Sequence, residues 1–244
     1  MKTKIFFFLY FLSTLNCYSQ TSEEYLTSGL EKEYDGDYIG AIADFTKAIE
    51  FDSSYNLIST VYYCRGYAKY YAKDFNGAII DYTKVIELDP KFIDPVFNTS
   101  VYFERGKAKK GLQDYTGAIV DYSKAIELNR KDTAAYSARG HAKFKVQDYR
   151  GSIADQTELI KINPKNAVAY FARSIAELQI KEYDKVIADL NMAIELNSRY
   201  AEAYYSRGLI KIALNQKDDG CLDLSKAGEL GYEIAYKSIK NFCN

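Results

Sequence analysis

Histidine, proline and tryptophan are scarce in this sequence. Among its 244 residues there are one histidine, three prolines and no tryptophan, with four cysteines and 14 glycines that do not cluster. A metal site, a serine-histidine-aspartate triad and a phosphate-binding loop all need side chains or glycine motifs that are missing here. We therefore expect no enzyme active site, no bound metal and no cofactor.

An excess of charge of one sign is also missing. The chain carries 32 Lys and Arg against 33 Asp and Glu, a net charge of -1. Binding to nucleic acid or to an anionic membrane surface needs a basic surface, so neither is expected as the main function. With 48% hydrophobic and 15% aromatic residues, the chain has enough apolar material for a folded core.

An apolar run follows two lysines at the N-terminus. Lys2 and Lys4 precede residues 5–15, which are almost continuously apolar. At about 1.5 Å per helical residue, this run is too short to cross a hydrocarbon core of about 30 Å. The layout is typical of a signal peptide over residues 1–19, with cleavage after Ser19. We expect export to the periplasm or the extracellular space and no permanent membrane span.

Lipid attachment at Cys17 is the alternative for this segment. Thr14 and Asn16 stand where that signal favours a branched apolar residue and a small residue. The lipid-anchored form is therefore the weaker interpretation.

One pattern recurs six times after the first 21 residues. The copies are opened by tyrosines spaced 37, 40, 34, 34 and 34 residues apart: Tyr25, Tyr62, Tyr102, Tyr136, Tyr170 and Tyr204. Four residues later comes a small residue: Gly29, Gly66, Gly106, Gly140, Ser174 and Gly208. The second half reads, for example, GAIVDYSKAIELN from Gly117, with apolar residues three or four apart, as on one face of a helix. Each copy predicts a helical hairpin with a short polar turn, such as residues 113–114, and a stop such as Asp89-Pro90.

The pattern resembles the tetratricopeptide repeat. The resemblance rests on the Tyr-x-x-x-Gly motif, the later alanine and aromatic, and the terminal Asp-Pro, and it covers residues 23–231. It implies an all-α, right-handed α-solenoid of about six helix-turn-helix repeats. The departures are the absence of tryptophan and insertions of three and six residues before Tyr62 and Tyr102. We expect the apolar insertion 92–97 to be a longer packed turn, with a contact surface on the rim as the alternative.

Residues 232–244 follow the last copy. Ile234, Ala235, Ile239 and Phe242 are spaced as one apolar helical face. An array of repeats needs a terminal element to cover its last open face. We therefore predict a C-terminal capping helix.

Arginine and aspartate recur in phase with the repeat. An arginine precedes the small residue in five copies: Arg65, Arg105, Arg139, Arg173 and Arg207. An aspartate recurs in every second helix: Asp44, Asp81, Asp121, Asp155, Asp189 and Asp223. The first copy has Ser28 in place of the arginine and has no preceding copy, so we predict that each arginine pairs with the aspartate of the preceding copy. Carboxylates dispersed over six copies cannot form one acid-base pair, which argues against a catalytic role.

The resemblance further implies that the first helices line a concave groove. The predicted groove residues are first-helix positions not used within the hairpin: Tyr63, Tyr67, Tyr70, Tyr71, Phe103, Lys107, His141, Phe144, Phe171 and Tyr205. The second copy crowds its tyrosines between Tyr62 and Tyr71, and tyrosine offers large contact area with few torsions to freeze. The alternative is that these rings only pack on one another.

We interpret the chain as an exported scaffold that binds an extended segment of another protein in this groove. The alternative is a carbohydrate-binding or envelope-assembly component in which the tyrosines stack on sugar. Some tetratricopeptide repeat proteins hold a peptide carboxylate between Lys, Asn and Arg side chains. The groove here offers Lys107 and Lys145 but no asparagine, so that mode is not indicated.

Three cysteines remain after removal of the signal peptide. Cys221 lies ten residues before Gly231 and Cys243 lies twelve after it, so an antiparallel turn near Gly231 brings them together. In an oxidising compartment we predict a disulfide between Cys221 and Cys243 around the capping helix. Cys64 is expected to be a partly buried thiol outside the bridge, and two unlinked cysteines at 221 and 243 are the alternative.

Overall fold

The computed structural model describes residues 20–51, 55–91 and 100–243. The predicted signal peptide 1–19, including Cys17, and the apolar insertion 92–97 lie outside these residues. Predictions that concern those two segments therefore remain predictions.

Thirteen α-helices make up most of the described residues. The first helices of six successive hairpins are α1 (Gln20–Tyr34), α3 (Tyr55–Tyr71), α5 (Val101–Gly111), α7 (Thr133–Lys145), α9 (Ala167–Gln179) and α11 (Ala201–Ala213). The second helices are α2 (Tyr38–Phe51), α4 (Phe75–Leu88), α6 (Tyr115–Leu128), α8 (Tyr149–Ile162), α10 (Tyr183–Leu196) and α12 (Lys217–Glu229). A last helix, α13 (Ile234–Phe242), follows. The predicted all-α class built of helical repeats is confirmed.

The helices form two compact units, one up to Ala135 and one from Tyr136 onward. In the first unit, α1 to α6 pack each on the next along the chain. In the second, α8 to α13 do the same. Within the described ranges, no helix has the length and apolar character that crossing a membrane requires.

The turns of the first four hairpins share one construction. After α5, Gln113 adopts a positive φ of 62°, and Asp114 then caps α6 by accepting a hydrogen bond of 2.8 Å from the backbone N–H of Gly117. The same cap recurs at Asp37, Asp74 and Asp148. A side-chain oxygen that accepts from the first turn satisfies one of the helix's unpaired N–H groups. The predicted short polar turns of these four hairpins are thus built from a left-handed residue followed by an aspartate cap, while Glu182 and Gln216 make no such cap in the last two.

Glycine in the first helix makes room for an aromatic ring of the second. A Cβ atom on Gly106 would lie 2.7 Å from Tyr122 Cε1, and one on Gly66 would lie 3.0 Å from Tyr82 Cε1. Both tyrosine rings are fully buried. Any larger side chain at the glycine would have to displace a core ring, which explains why a residue that weakens helices is repeated there.

Candidate functional site on the first helices

The repeated arginine pairs with the aspartate of its own hairpin, so the predicted pairing with the preceding copy is wrong. Arg105 donates from Nε to Asp121 Oδ2 at 2.9 Å and from Nη2 to Asp121 Oδ1 at 2.6 Å. The same forked pair joins Arg65 to Asp81, Arg139 to Asp155, Arg173 to Asp189 and Arg207 to Asp223. A planar guanidinium matches a carboxylate in this two-point geometry, and the hairpin turn brings the two side chains together.

The third nitrogen of the guanidinium supplies the contact with the preceding hairpin. Arg65 Nη1 donates to Thr46 Oγ1 at 3.1 Å, and its counterparts in three later hairpins donate to Thr83, Thr157 and Asn191. The first hairpin has no predecessor to supply such an acceptor. There, Ser28 Oγ and Lys32 Nζ each lie 2.6 Å from Asp44 Oδ2. The absence of the arginine from the first copy correctly indicated that this side chain contacts the preceding hairpin. The group that it contacts there is a neutral threonine or asparagine oxygen and not the aspartate.

Each repeated aspartate except that of the fifth hairpin also forms a salt bridge with a lysine. Four residues after the arginine position stands a lysine whose Nζ lies 2.6 to 3.0 Å from the aspartate: Lys32, Lys69, Lys109, Lys143 and Lys211. In the fifth hairpin this position is Glu177, which is buried beside Arg173 and Asp189. Sequence reasoning missed this residue, although the lysine recurs in the sequence with the same phase as the arginine.

The repeated carboxylates hold the hairpins together. Asp121, which is fully buried, binds Arg105 and Lys109 at the same time. A carboxylate whose oxygens are both occupied by cations is poorly placed to contact a substrate. In the described part of the chain, no group of three or more His, Cys, Asp or Glu side chains is arranged to hold a metal ion.

The tyrosines of α3 divide into core and surface. Tyr63 is 4% exposed and its ring centroid lies 5.7 Å from that of Tyr82, so Tyr63 belongs to the core and its placement in the groove is wrong. The ring centroids of Tyr67 and Tyr71 are 4.7 Å apart, and Tyr71 is 40% exposed. Burial and the neighbouring Tyr71 raise the pKa of Tyr67 well above its ordinary value.

A lysine of α5 joins the tyrosines of α3 to the next hairpin. Lys107 Nζ lies 4.9 Å from the ring centroid of Tyr70, 5.8 Å from that of Phe103 and 2.8 Å from Glu104 Oε2. Burial lowers the pKa of this lysine, but the neighbouring carboxylate more than offsets it, so the pKa is raised. These contacts bring five predicted residues together on α3 and α5, called the tyrosine patch below: Tyr67, Tyr70, Tyr71, Phe103 and Lys107.

Two predicted groove residues of the second unit pack on aromatic neighbours. Phe144 packs on Tyr149 with ring centroids 5.3 Å apart, and Phe171 packs on Tyr200 at 4.9 Å. His141 is exposed on α7.

Tyr205 contacts the C-terminal segment. Its ring centroid lies 4.9 Å from that of Tyr232, and its hydroxyl lies 3.2 Å from Ser238 Oγ. The segment that caps the last hairpin therefore covers part of the surface that Tyr205 was predicted to offer.

A disulfide joins Cys221 of α12 to Cys243, directly after α13. The two sulfur atoms are 2.00 Å apart and the Cα atoms 5.8 Å apart, within the range of about 4.4 to 6.8 Å seen for disulfides. Cys64 is buried in α3 and is not part of this bond. The bond ties the capping helix to the hairpin that precedes it.

Two family models match the chain. One, described as "TPR repeat", matches residues 100–147, and the other, described as "Tetratricopeptide repeat", matches residues 59–92. No curated protein sequence matches the chain significantly.

Several solved structures are similar to this chain. A crystal structure of MamA is 26% identical, with a TM-score of 0.63, over 70% of this chain and 96% of that one. YrrB, described as "a TPR protein with an unusual peptide-binding site", is 18% identical, with a TM-score of 0.65, over 80% of this chain and 97% of that one. A tetratricopeptide repeat protein from Parabacteroides merdae is 21% identical, with a TM-score of 0.67, over 93% of this chain and 100% of that one.

Proposed function

The chain belongs to the tetratricopeptide repeat family, and from this premise we propose that it is an exported scaffold that binds an extended segment of another protein. Proteins of this family are generally non-enzymatic and bind other proteins. The export half of the proposal rests on the sequence of residues 1–19. The binding half rests on the tyrosine patch.

The tyrosine patch carries the proposal because it combines contact area with preorganisation. Tyr67, Tyr70 and Tyr71 are held by contacts with one another, and Tyr71 also stacks on Tyr38 with ring centroids 5.3 Å apart. Rings that are already held lose little side-chain entropy when a partner covers them. Their hydroxyls and the ammonium group of Lys107 provide polar contacts beside apolar area, the combination that is typical of interaction hot spots.

The repeated ion pairs support a scaffold over an enzyme. They place a repeated arginine and a repeated aspartate in a largely buried pair between the two helices of a hairpin, as with Arg105 and Asp121. Such pairs fix the hairpin geometry on which a binding surface depends. We therefore propose that the chain has no catalytic activity of its own.

Peptide binding is favoured over the carbohydrate alternative. YrrB shares this fold and is described with a peptide-binding site, which makes a peptide a reasonable occupant for the first helices. Sugar recognition by stacking needs a ring face left open to the ligand. In the tyrosine patch, Tyr71 stacks on Tyr38 and contacts Tyr67 and Tyr70, so part of its ring is already occupied although 40% of the residue is exposed.

A site-specific cross-link tests the proposed surface. A photoreactive amino acid replaces Tyr71 in one variant and Ile80 in a matched control, since Ile80 is 68% exposed on the second helix α4. We expect the probe at position 71, and not the probe at position 80, to attach to one continuous stretch of a partner protein. Equal attachment at both positions would place the interaction elsewhere.

The affinity of the protein for the cross-linked stretch then tests how much the tyrosine patch contributes to binding. A synthetic peptide of that sequence should bind the Tyr67→Ala/Tyr71→Ala variant at least tenfold more weakly, about 1.4 kcal/mol, while Ile80→Ala should leave the Kd unchanged. Circular dichroism should show that helicity is retained. If the double variant instead unfolds as readily as Tyr122→Ala, a core substitution, the tyrosines are packing residues and the patch is not a binding surface.

A further inference from the structure

Glu177 reverses the charge of a position that is lysine in the other five hairpins. The lysine occupies the fourth residue after the arginine position and binds the repeated aspartate, as Lys143 does with Asp155 at 3.0 Å and Lys211 with Asp223 at 2.9 Å. In the fifth hairpin, Asp189 keeps Arg173 but faces a second carboxyl group in place of the lysine. An arginine and a lysine that share one aspartate are thereby replaced by one arginine beside two carboxyl groups.

The carboxyl group of Glu177 is buried without full compensation. The residue is 3% exposed, and within the described residues its Oε2 has no hydrogen-bond partner. Arg173 Nε lies 2.7 Å from Asp189 Oδ2 but 4.0 Å from Glu177 Oε1. The guanidinium is therefore committed to Asp189, and an ionised Glu177 would be a buried anion with only a distant cation.

The polar and charged groups around Glu177 come from the two helices that pack on α9, which are α8 and α10. Helix α10 contributes Asp189 and Lys185, and the turn before α10 contributes Glu182. Lys185 Nζ lies 2.7 Å from Glu182 Oε2, so this cation is already engaged at the surface. Helix α8 contributes the neutral hydroxyl of Thr157, which accepts from Arg173 Nη1 at 3.1 Å. Protonation of Glu177 removes the excess negative charge without moving a side chain.

We propose that Glu177 makes the fifth hairpin pH-responsive. In the closed form the neutral carboxylic acid packs between α9 and α10. When it loses its proton to solvent, a second buried anion faces Asp189 and loosens the contact between the two helices. The other five hairpins, which have lysine at this position, do not respond in this range. The proposal does not depend on the identity of a partner or on peptide binding.

The direction of the response follows from the titration of the same group. Burial and then Asp189 raise the pKa of Glu177 to about 7, against the opposing effect of Arg173 and Lys185. A carboxyl group whose pKa is higher in the folded state stabilises that state fully below its ordinary pKa near 4.5. This stabilisation is lost as the pH rises through about 7.

The titration of Glu177 can be measured directly in the purified protein. In a carbon-detected NMR titration with labelled glutamate, assigned through the Glu177→Gln variant, one carboxyl signal should titrate near pH 7. A Glu177 signal that titrates near the ordinary glutamate pKa would overturn the proposal. This readout concerns the unmodified protein, so the proposal stays falsifiable whichever variants fold.

Hydrogen exchange then locates the response. From pH 5.5 to pH 8, after correction for the intrinsic exchange rate, protection of the α9 and α10 amides should fall at least tenfold, while α3 and α4 keep theirs. The fall should be absent in Glu177→Gln, which mimics the neutral acid, and in Glu177→Lys, which restores the residue of the other hairpins. The matched control Glu158→Gln removes an exposed carboxylate that pairs with Lys161 and should behave like the unmodified protein. An equal fall in the unmodified protein and in Glu177→Gln would refute the proposal.

Discussion

At the scale of single residues, one guanidinium group serves two hairpins. Arg105 donates hydrogen bonds from two nitrogens to Asp121 of its own hairpin. Its third nitrogen donates to Thr83 Oγ1 of the preceding hairpin at 3.1 Å. It also lies over the ring of Tyr102, 5.7 Å from the centroid. Charge-assisted bonds are about twice as strong as neutral ones, so the pair within the hairpin should dominate the energy of this side chain.

A double-mutant cycle on Arg105 tests this ranking. The coupling free energy between Arg105→Ala and Asp121→Ala should be about 2 kcal/mol, because each substitution alone leaves a buried charged partner behind. With Asp81→Ala in the preceding hairpin, the coupling should stay within about 0.5 kcal/mol, since Asp81 is held by Arg65 and Lys69. Urea unfolding of the four variants of each cycle measures both values. A larger coupling to Asp81 would mean that the aspartate of the preceding hairpin is the true partner in solution.

At the scale of elements, the turn inside each hairpin holds a residue in a conformation that glycine tolerates best. Gly36 fills this place in the first hairpin with φ 82°, whereas Lys73, Gln113, Gln147, Lys181 and Asn215 adopt φ between 62° and 68° in the others. A residue with a Cβ atom loses about 1 kcal/mol or more in this region. In the first four hairpins the residue that follows is an aspartate whose side chain caps the second helix, and the turn geometry places this cap.

Glycine at one of these turns should stabilise the protein. Gln113→Gly removes the steric cost of φ 62° at an exposed position, and we expect the free energy of unfolding to rise by about 0.5 to 1 kcal/mol. The control, Glu195→Gly on the exposed side of α10, should instead lower it by about 1 kcal/mol, because there the backbone is helical. Thermal unfolding measures both. A loss of stability in Gln113→Gly would show that the side chain of Gln113 contributes more than its backbone costs.

At the scale of the whole molecule, a repeat array is least stable at its ends. Repeats in such arrays are stabilised by their neighbours, and the last hairpin of this chain has only the capping helix on its outer side. Helix α13 buries Ala235 and Ser238, contacts Tyr205 and is tied by the Cys221–Cys243 bond. The disulfide spans 22 residues, enough to restrict the unfolded chain by about 3 kcal/mol.

Removal of this bond should loosen the C-terminal end alone. In Cys221→Ser/Cys243→Ser, amide protection of α13 should fall markedly and that of α12 to a smaller extent, while α1 to α4 remain unchanged. Cys64→Ala, at the cysteine outside the bond, serves as the control. Peptide mapping without reductant should find Cys221 joined to Cys243 in the unmodified protein. Unchanged exchange in α13 would show that packing alone holds the cap.

Local periodicity accounts for what could be predicted. Apolar residues three or four apart determine a helix, and a glycine and an arginine that recur in phase determine that the helices form equivalent hairpins. The cap and the meeting of Cys221 with Cys243 follow from chain distance around the turn at Gly231. The phase of the arginines also indicated a contact with the preceding hairpin.

The choice among nearby partners could not be predicted in the same way. Asp81 and Asp121 occupy equivalent positions in neighbouring hairpins. The packing distance between helices decides that Asp121 forms the forked pair with Arg105 and that Thr83 accepts from its third nitrogen. The tyrosines of α3 lie close together in sequence, between Tyr62 and Tyr71, and the ring of Tyr82 decides that Tyr63 is core while Tyr71 stays at the surface.

Sequence by itself determined the repeat, the hairpins, the cap and the cysteine pair, because these depend on spacing along one chain. Tertiary structure alone decided which carboxylate each arginine holds, which tyrosines remain open and that Glu177 is buried beside Asp189. The physical reason is that a side chain's partner and its exposure depend on distances between helices. Those distances are set by the packing of many residues at once.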